Sequence, residues 1–311
     1  MRNNKHNNNT LRATAWMVCA LLTVATAGIL AVSPAAANHL EAKMYGIDNW
    51  DQDCLQNSLN WSAQVDRWYN EIDDHGWYHQ DGRFVDTGMD RSPFCDPDAA
   101  SPCNDGWRMD EGDAVMIFMH GSDSGNHWRG ALRFDGGDAV NDCWIDAPES
   151  GTEFGAGAEL YAGDMDMEYL HLSSCNSMDD DNLSNSWRMF RDPIDSPQNG
   201  RRLHQADGFH GFMWIGSGFR ADYEDFADDA FSVSIKDSWM DNMRRNNVGA
   251  NNDDQCPVAL AVGSDRADCF NRIDNERYNN TMSDPSAIGY YCYYYYDGCD
   301  PAGETPFTDP N

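Results

Sequence analysis

The sequence predicts an α/β fold on a mostly parallel β-sheet, and three observations carry that reading. Two short apolar runs, at 114–119 and 169–172, stop abruptly at chemically able residues, His120-Gly121 in the first and Ser173-Ser174-Cys175 in the second. Buried strands of a parallel sheet read this way when they deliver a side chain to the carboxyl edge. Two further apolar stretches, at 208–218 and 257–262, read as additional buried strands. Between these runs, residues 58–74 and 222–243 carry their apolar side chains at helical spacing.

Taken in order, residues 42–47 form a first strand. Trp61, Val65, Trp68, Tyr69 and Ile72 then mark an amphipathic helix over 58–74, with Gly76 as its stop. A second strand is expected at 83–87, and 88–110 is a loop holding Pro93, Pro97, Pro102, Cys95 and Cys103. The His strand follows at 113–119. Gly121 to Gly125 is too rich in small residues to continue it and suits a loop whose backbone N–H groups approach a substrate carbonyl. Short strands at 131–134 and 143–145 flank a Gly136-Gly137 turn, 146–157 is a connection, and 159–161 a short strand or turn. After the Cys strand at 167–174, Asp179, Asp180 and Asp181 cap a helix through Trp187, Met189 and Phe190. They lack the spacing of an EF-hand loop. His204 and His210 fall near the start of the strand at 208–218, the wrong end for the reactive edge, and read as structural. Phe231, Ile235, Trp239 and Met243 keep register through one helix at 222–243. Asp265 or Asp268, after the strand at 257–262, would line the same edge as Cys175. The aromatic segment 290–296 reads as an edge strand.

Residues 1–37 have the three parts of a secretory signal: Arg2, Lys5 and Arg12, then an acid-free apolar run, then Pro34-Ala35-Ala36-Ala37 before Asn38. The expected organisation is a signal at 1–37 and one domain at 38–311, located outside the cell or in the periplasm and not embedded in a membrane. With 52 acidic against 21 basic residues and a net charge of −31, the surface repels phosphate backbones, which argues against nucleic-acid partners. The acidity has two explanations, the solvated surface of a protein from a saline medium or a binder of Ca²⁺; no other cofactor is expected. Of ten cysteines, Cys19 leaves with the signal, and the remaining odd number leaves at least one unpaired. Close spacing invites Cys95–Cys103, Cys256–Cys269 and Cys292–Cys299, with Cys54–Cys143 completing four. Cys175 is then the free thiol, unless it pairs elsewhere or is an inert buried thiol.

A thiolate attacks acyl groups, and an imidazole beside it takes the thiol proton and returns it to the leaving amine. Cys175 with His120 therefore points to acyl transfer, usually on a peptide or protein substrate. Asp164, Asp166 and Glu168 alternate on one face leading to Cys175 and, with Ser174, are the expected substrate-binding group, favouring a basic side chain before the scissile bond. Two rivals stand beside this reading. One is a non-catalytic exported module whose acidic and aromatic loops bind cations or glycans. The other is a metal hydrolase using His120, His127, Asp123 and Asp135, which lacks a compact ligand signature and has no metal assigned.

Met119-His120-Gly121 and Ser173-Ser174-Cys175, each closing an apolar run, resemble the catalytic blocks of the caspase-like (clan CD) cysteine peptidases, which include gingipains, legumain, clostripain, separase and the CHAT domains. With Trp187 and Leu203-His204-Gln205…Gly211-Phe212, the pattern is also similar to an uncharacterised family of secreted bacterial proteins, the DUF6345 domain. The resemblance implies a disulfide-stabilised, caspase-hemoglobinase-like three-layer α/β/α sandwich on a mostly parallel sheet. It also implies His120 as general base, Cys175 as nucleophile and Gly121 as a backbone oxyanion donor. No specificity-pocket motif or activation site matches.

Overall fold

The computed structural model describes residues 40–50, 54, 56–76, 78–95, 103–104, 106, 108–134, 143–147, 166–190, 203–249 and 251–308. The expected signal at 1–37, the Gly136-Gly137 turn and the segment 159–161 lie outside them. In chain order the elements are β1 (Leu40–Gly46), α1 (Ser62–Asp74), β2 (Tyr78–Val85), β3 (Ala114–Phe118), β4 (Gly121–Asp123), β5 (Trp128–Ala131), β6 (Trp144–Asp146) and β7 (Tyr169–Ser173). Then come α2 (Asp180–Ser186), β8 (Gln205–His210), α3 (Arg220–Asp229), α4 (Ile235–Met243), β9 (Cys256–Gly263), α5 (Arg266–Asn275) and β10 (Tyr290–Tyr294).

Seven strands form the main sheet in the order β10-β9-β8-β7-β3-β1-β2. Its pairs are parallel from β2 across to β8; β9 alone runs against the rest, antiparallel to both β8 and β10. β3, β7 and β9 are buried along their whole length, which is why they read as apolar runs rather than alternating strands. One face is covered by α1, α3, α4 and α5 through Val65, Trp68, Phe226, Trp239 and Ile273. Each fully buried large side chain there contributes on the order of 2–3 kcal/mol. On the other face, Val115, Ile117, Leu170 and Leu172 pack under Leu183 of α2, Met189, Phe190, the disulfide-bearing segments and Trp128 of the small antiparallel sheet β4-β5-β6. Among the described residues no helix is long and apolar enough to cross a membrane.

Three expectations are corrected. The segment expected as a loop after His120 begins with strand β4, because Gly121 and Ser122 pair with Gly130 and Arg129. The single helix expected over 222–243 is two, α3 and α4, broken where Ser234 caps α4 by accepting from the Asp237 N–H. The strand expected at 208–218 is β8 at 205–210; Gly211, at φ +70°, turns the chain out of it.

The cysteines form four disulfides, Cys54–Cys143, Cys95–Cys103, Cys256–Cys299 and Cys269–Cys292. The first two are as expected, Cys95–Cys103 from its close spacing and Cys54–Cys143 as the pair that completes four. The last two replace Cys256–Cys269 and Cys292–Cys299: Cys269 on α5 faces the sheet beside Cys292 of β10, and the chain after β10 returns to the start of β9. The two longest loops, 89 and 43 residues, are the ones whose closure stabilises most, roughly 4 kcal/mol each in the chain-entropy model.

A buried carboxyl pair stands at the amino edge of the sheet. Asp113, just before β3, accepts from the Glu41 N–H at 2.5 Å and is electrostatically coupled to Glu168, just before β7. Burial lifts the Asp113 carboxyl to about 6, and burial together with the Asp113 charge holds Glu168 well above the carboxylate range. The folded state therefore keeps protons that the unfolded chain sheds. Stability from this pair is fully present below about pH 4 and declines as pH rises through the carboxylate range toward and beyond about 6. Chemical denaturation across pH 4–8 should show a shallower decline in Glu168→Gln, whose neutral amide fills the same place; identical slopes would refute the coupling of the two carboxyls.

Candidate active site at the sheet's carboxyl edge

β3 and β7 are neighbours in parallel register, Phe118 opposite Ser173. His120 and Cys175 each lie two residues past the end of that register, so both follow neighbouring strands out at the sheet's carboxyl edge. After Cys175 the backbone turns sharply: Asn176 adopts φ +55°, a region Asn tolerates, and its N–H donates to the Gly211 carbonyl at 2.7 Å. The turn is thereby pinned to the end of β8 as well.

Cys175 is the free cysteine among the described residues and is half-buried. Its thiol lies 3.8 Å from the Met213 carbonyl oxygen. Burial pushes the thiol above its ordinary range, while hydrogen bonds with the backbone of Met213, Cys175 and Gly121 pull the other way. A lowering influence of this kind comes from groups that stabilise the thiolate. Gly121 is required by space. A Cβ there would lie 2.1 Å from the Cys175 carbonyl oxygen and 2.3 Å from Ser174 Oγ, so only a bare backbone passes this close to the thiol turn.

The imidazole of His120 is engaged by other partners. His120 Nε2 lies 2.6 Å from the Asn57 carbonyl oxygen, and its ring packs on Trp50 with centroids 4.6 Å apart. The floor of the site is polar and buried: Ser173 Oγ meets the Tyr223 hydroxyl and lies 3.0 Å from Met213 Sδ, and Gln64 Nε2 lies 3.4 Å from the same hydroxyl. Asn57, Trp50, Met213 and Tyr223 were not foreseen from sequence; the first three lie outside helices and strands and Tyr223 in the first turn of α3, with no pattern tying any of them to the edge.

The expected substrate-binding group is not at this edge. Asp166 and Glu168 precede β7 whereas Cys175 follows it, and residues 169–175 extended at about 3.3 Å each put roughly 20 Å between them. Asp164 lies outside the described residues. Ser174 is fully buried, its hydroxyl accepting from Trp128 Nε1 at 3.2 Å, so it supports the turn instead of meeting a ligand. Asp265 and Asp268 follow the antiparallel β9 and so reach the opposite edge, where Asp265 caps α5 and Asp268 accepts from Ser264. His204 is at the start of β8, as expected, but His210 ends that strand and stands on the Cys175 side. The described members of the alternative metal set do not gather: the clusters of ligand atoms among the described residues are Glu71/His75/Asp228 and Asp179/Asp180/His210, and Asp135 lies outside them.

Gly121→Ala should destabilise the fold by about 1–3 kcal/mol through overpacking against fixed backbone. Gly218→Ala, with nothing within 4 Å of the added methyl, should be near neutral, and urea denaturation of both variants checks the contrast. Comparison with family models, with curated proteins and with solved structures finds no match, so the resemblance to the caspase-like peptidases rests on these residues alone.

Proposed function

We propose that this chain is an exported cysteine-dependent hydrolase with a caspase-like α/β/α organisation, cleaving peptides through Cys175 and His120. The observation that carries the reading is the convergence, on one edge of a parallel sheet, of the unpaired cysteine, a histidine following the neighbouring strand and the Gly121 backbone packed against the turn that bears the thiol. In this mechanism Cys175 Sγ attacks the scissile carbonyl, and His120 accepts the thiol proton and passes it to the leaving amine. The Gly121 and Cys175 backbone N–H groups stabilise the oxyanion. The ring first exchanges the Asn57 carbonyl for the thiol, so the described arrangement is a resting one. Four disulfides and an expected signal segment support export. The basic-residue preference has lost Asp166 and Glu168 as its source.

A second reading is a catalytically silent exported module on the same fold, binding cations or glycans. It is favoured by the burial that raises the Cys175 thiol and by the His120 bond to Asn57.

The two readings part on turnover. Peptide reporters with Arg, Lys, Asp or Asn before the scissile bond should be cleaved by the full chain, with no turnover in Cys175→Ala and a loss of about 10²–10⁴-fold in His120→Ala. Without substrate, iodoacetamide should label Cys175 alone, at a rate still climbing above the ordinary cysteine range, because a raised thiol yields thiolate later. Labelling without turnover on any reporter would favour the silent module.

A further inference from the structure

His210 ends β8 with its ring 1 % exposed, beside Asp179, the residue before α2, and Asp180, the first residue of α2, which are 1 % and 8 % exposed. His210 Nε2 lies 2.8 Å from the Thr305 carbonyl oxygen, a partner that only accepts. The N–H therefore sits on Nε2, and the neutral ring presents a lone pair at Nδ1. That lone pair faces carboxylate oxygens, Asp179 Oδ1 at 3.5 Å and Asp180 Oδ1 at 4.0 Å. Lone pair against carboxylate is repulsive unless a cation lies between them.

A proton is the poorer fit. A charge-assisted N–H···O bond closes to about 2.7–2.9 Å, and the same fold makes one, His171 Nδ1 to Asp207 at 2.9 Å with Nε2 meeting the Tyr278 hydroxyl at 2.7 Å. At His210 the gap stays open, and both His210 Nδ1 and Asp179 Oδ2 are buried without a hydrogen bond. A metal with bonds of about 2.0–2.2 Å spaces its tetrahedral ligands roughly 3.4 Å apart. The ligand atoms of all three residues lie within 4.8 Å of one another. The carboxylate of Asp180 is oriented from behind, Oδ2 accepting from the Thr308 N–H at 2.6 Å and hydroxyl at 2.7 Å. Glu304 is within electrostatic reach of Asp179, Asp180 and His210, and Asp123 of Glu304, so the local charge is negative beyond what one imidazole offsets.

We infer that Asp179, Asp180 and His210 hold one divalent cation of the zinc class, with a fourth position left to solvent. One nitrogen and two carboxylate donors suit zinc or manganese better than Ca²⁺, which takes oxygen ligands throughout. The ion ties the end of β8 to the turn 175–179 that carries Cys175 and the start of α2, and the segment at 305–308 holds two of its ligands through hydrogen bonds. That turn is already zipped to β8 by the Asn176 N–H to Gly211 and the Met178 N–H to Phe209. The site stands whether or not Cys175 is a nucleophile.

The full chain, stripped with EDTA and titrated calorimetrically with ZnCl₂, should bind one ion and melt at a higher temperature when loaded. His210→Ala and Asp179→Asn should each weaken binding more than about 100-fold, beyond the usual cost of losing an outer-shell partner. His75→Ala, which breaks up the more open Glu71/His75/Asp228 group, should leave binding unchanged. Should the variants fail to fold, Mn²⁺ added to the unmodified chain should broaden the His210 ring resonances and spare those of His75. Absence of stoichiometric binding, or binding that follows His75 and survives at His210→Ala, overturns the assignment.

Discussion

The parallel pairing of β3 with β7 is the constraint on which the rest depends. Both strands are buried on both faces, so their register is held by apolar contacts above and below as well as by the ladder between them. A slip of one residue would exchange the two faces of β7, moving Leu170 and Leu172 into the helical layer and His171 out of it. With Phe118 opposite Ser173, the residues past each strand end become neighbours, and the small sheet begun by β4 can approach only because position 121 lacks a side chain.

The same strand carries a second interaction that locks its orientation. His171 points into the helical layer, where it pairs with Asp207 of β8 and with the Tyr278 hydroxyl, which accepts from Trp68 of α1 at 3.0 Å. Gln205 Nε2 donates to the other Asp207 oxygen at 2.7 Å. Each of these residues has a hydrogen-bond partner, the condition under which a fully buried ionisable pair is tolerated, and Gln205 Oε1 is the one buried atom among them without one. The network joins two strands, a helix and the segment after α5 at one point beneath the carboxyl edge. The group around His210, on the opposite face of the sheet, lacks that closure.

Much of this was legible in the sequence. Short apolar runs ending at His120 and Cys175 located β3 and β7 and their shared edge, and the helical spacing of Val65, Trp68 and Ile72 located α1, because each pattern is a direct imprint of burial. What escaped was whatever burial alone does not encode. A strand buried on both faces looks the same in either direction, so nothing marked β9 as antiparallel, and Asp265 and Asp268 were assigned to the wrong edge. Glycines at 208, 211, 216 and 218 blurred where β8 stops, which misplaced His210. Proximity in sequence suggested Cys256–Cys269 and Cys292–Cys299, but partners are chosen by which elements lie together, and α5 packs across β10. The placement of Asp166 and Glu168 needed only the polarity of β7, since residues that enter a strand cannot share its exit.

One crosslink reaches further than its own neighbourhood. Cys299 is fastened to the first residue of β9, and from there the backbone runs a few residues to Thr305, Phe307 and Thr308, which hold His210 and Asp180 from behind and cover the ring of His210 at 5.2 Å. The sulfur-sulfur bond thus serves as the fixed end of a strap laid over the far side of the thiol-bearing bend. Opening it, by reduction or by a peptide-bond break between 299 and 305, would slacken a contact remote in sequence and leave the bend braced from one side only.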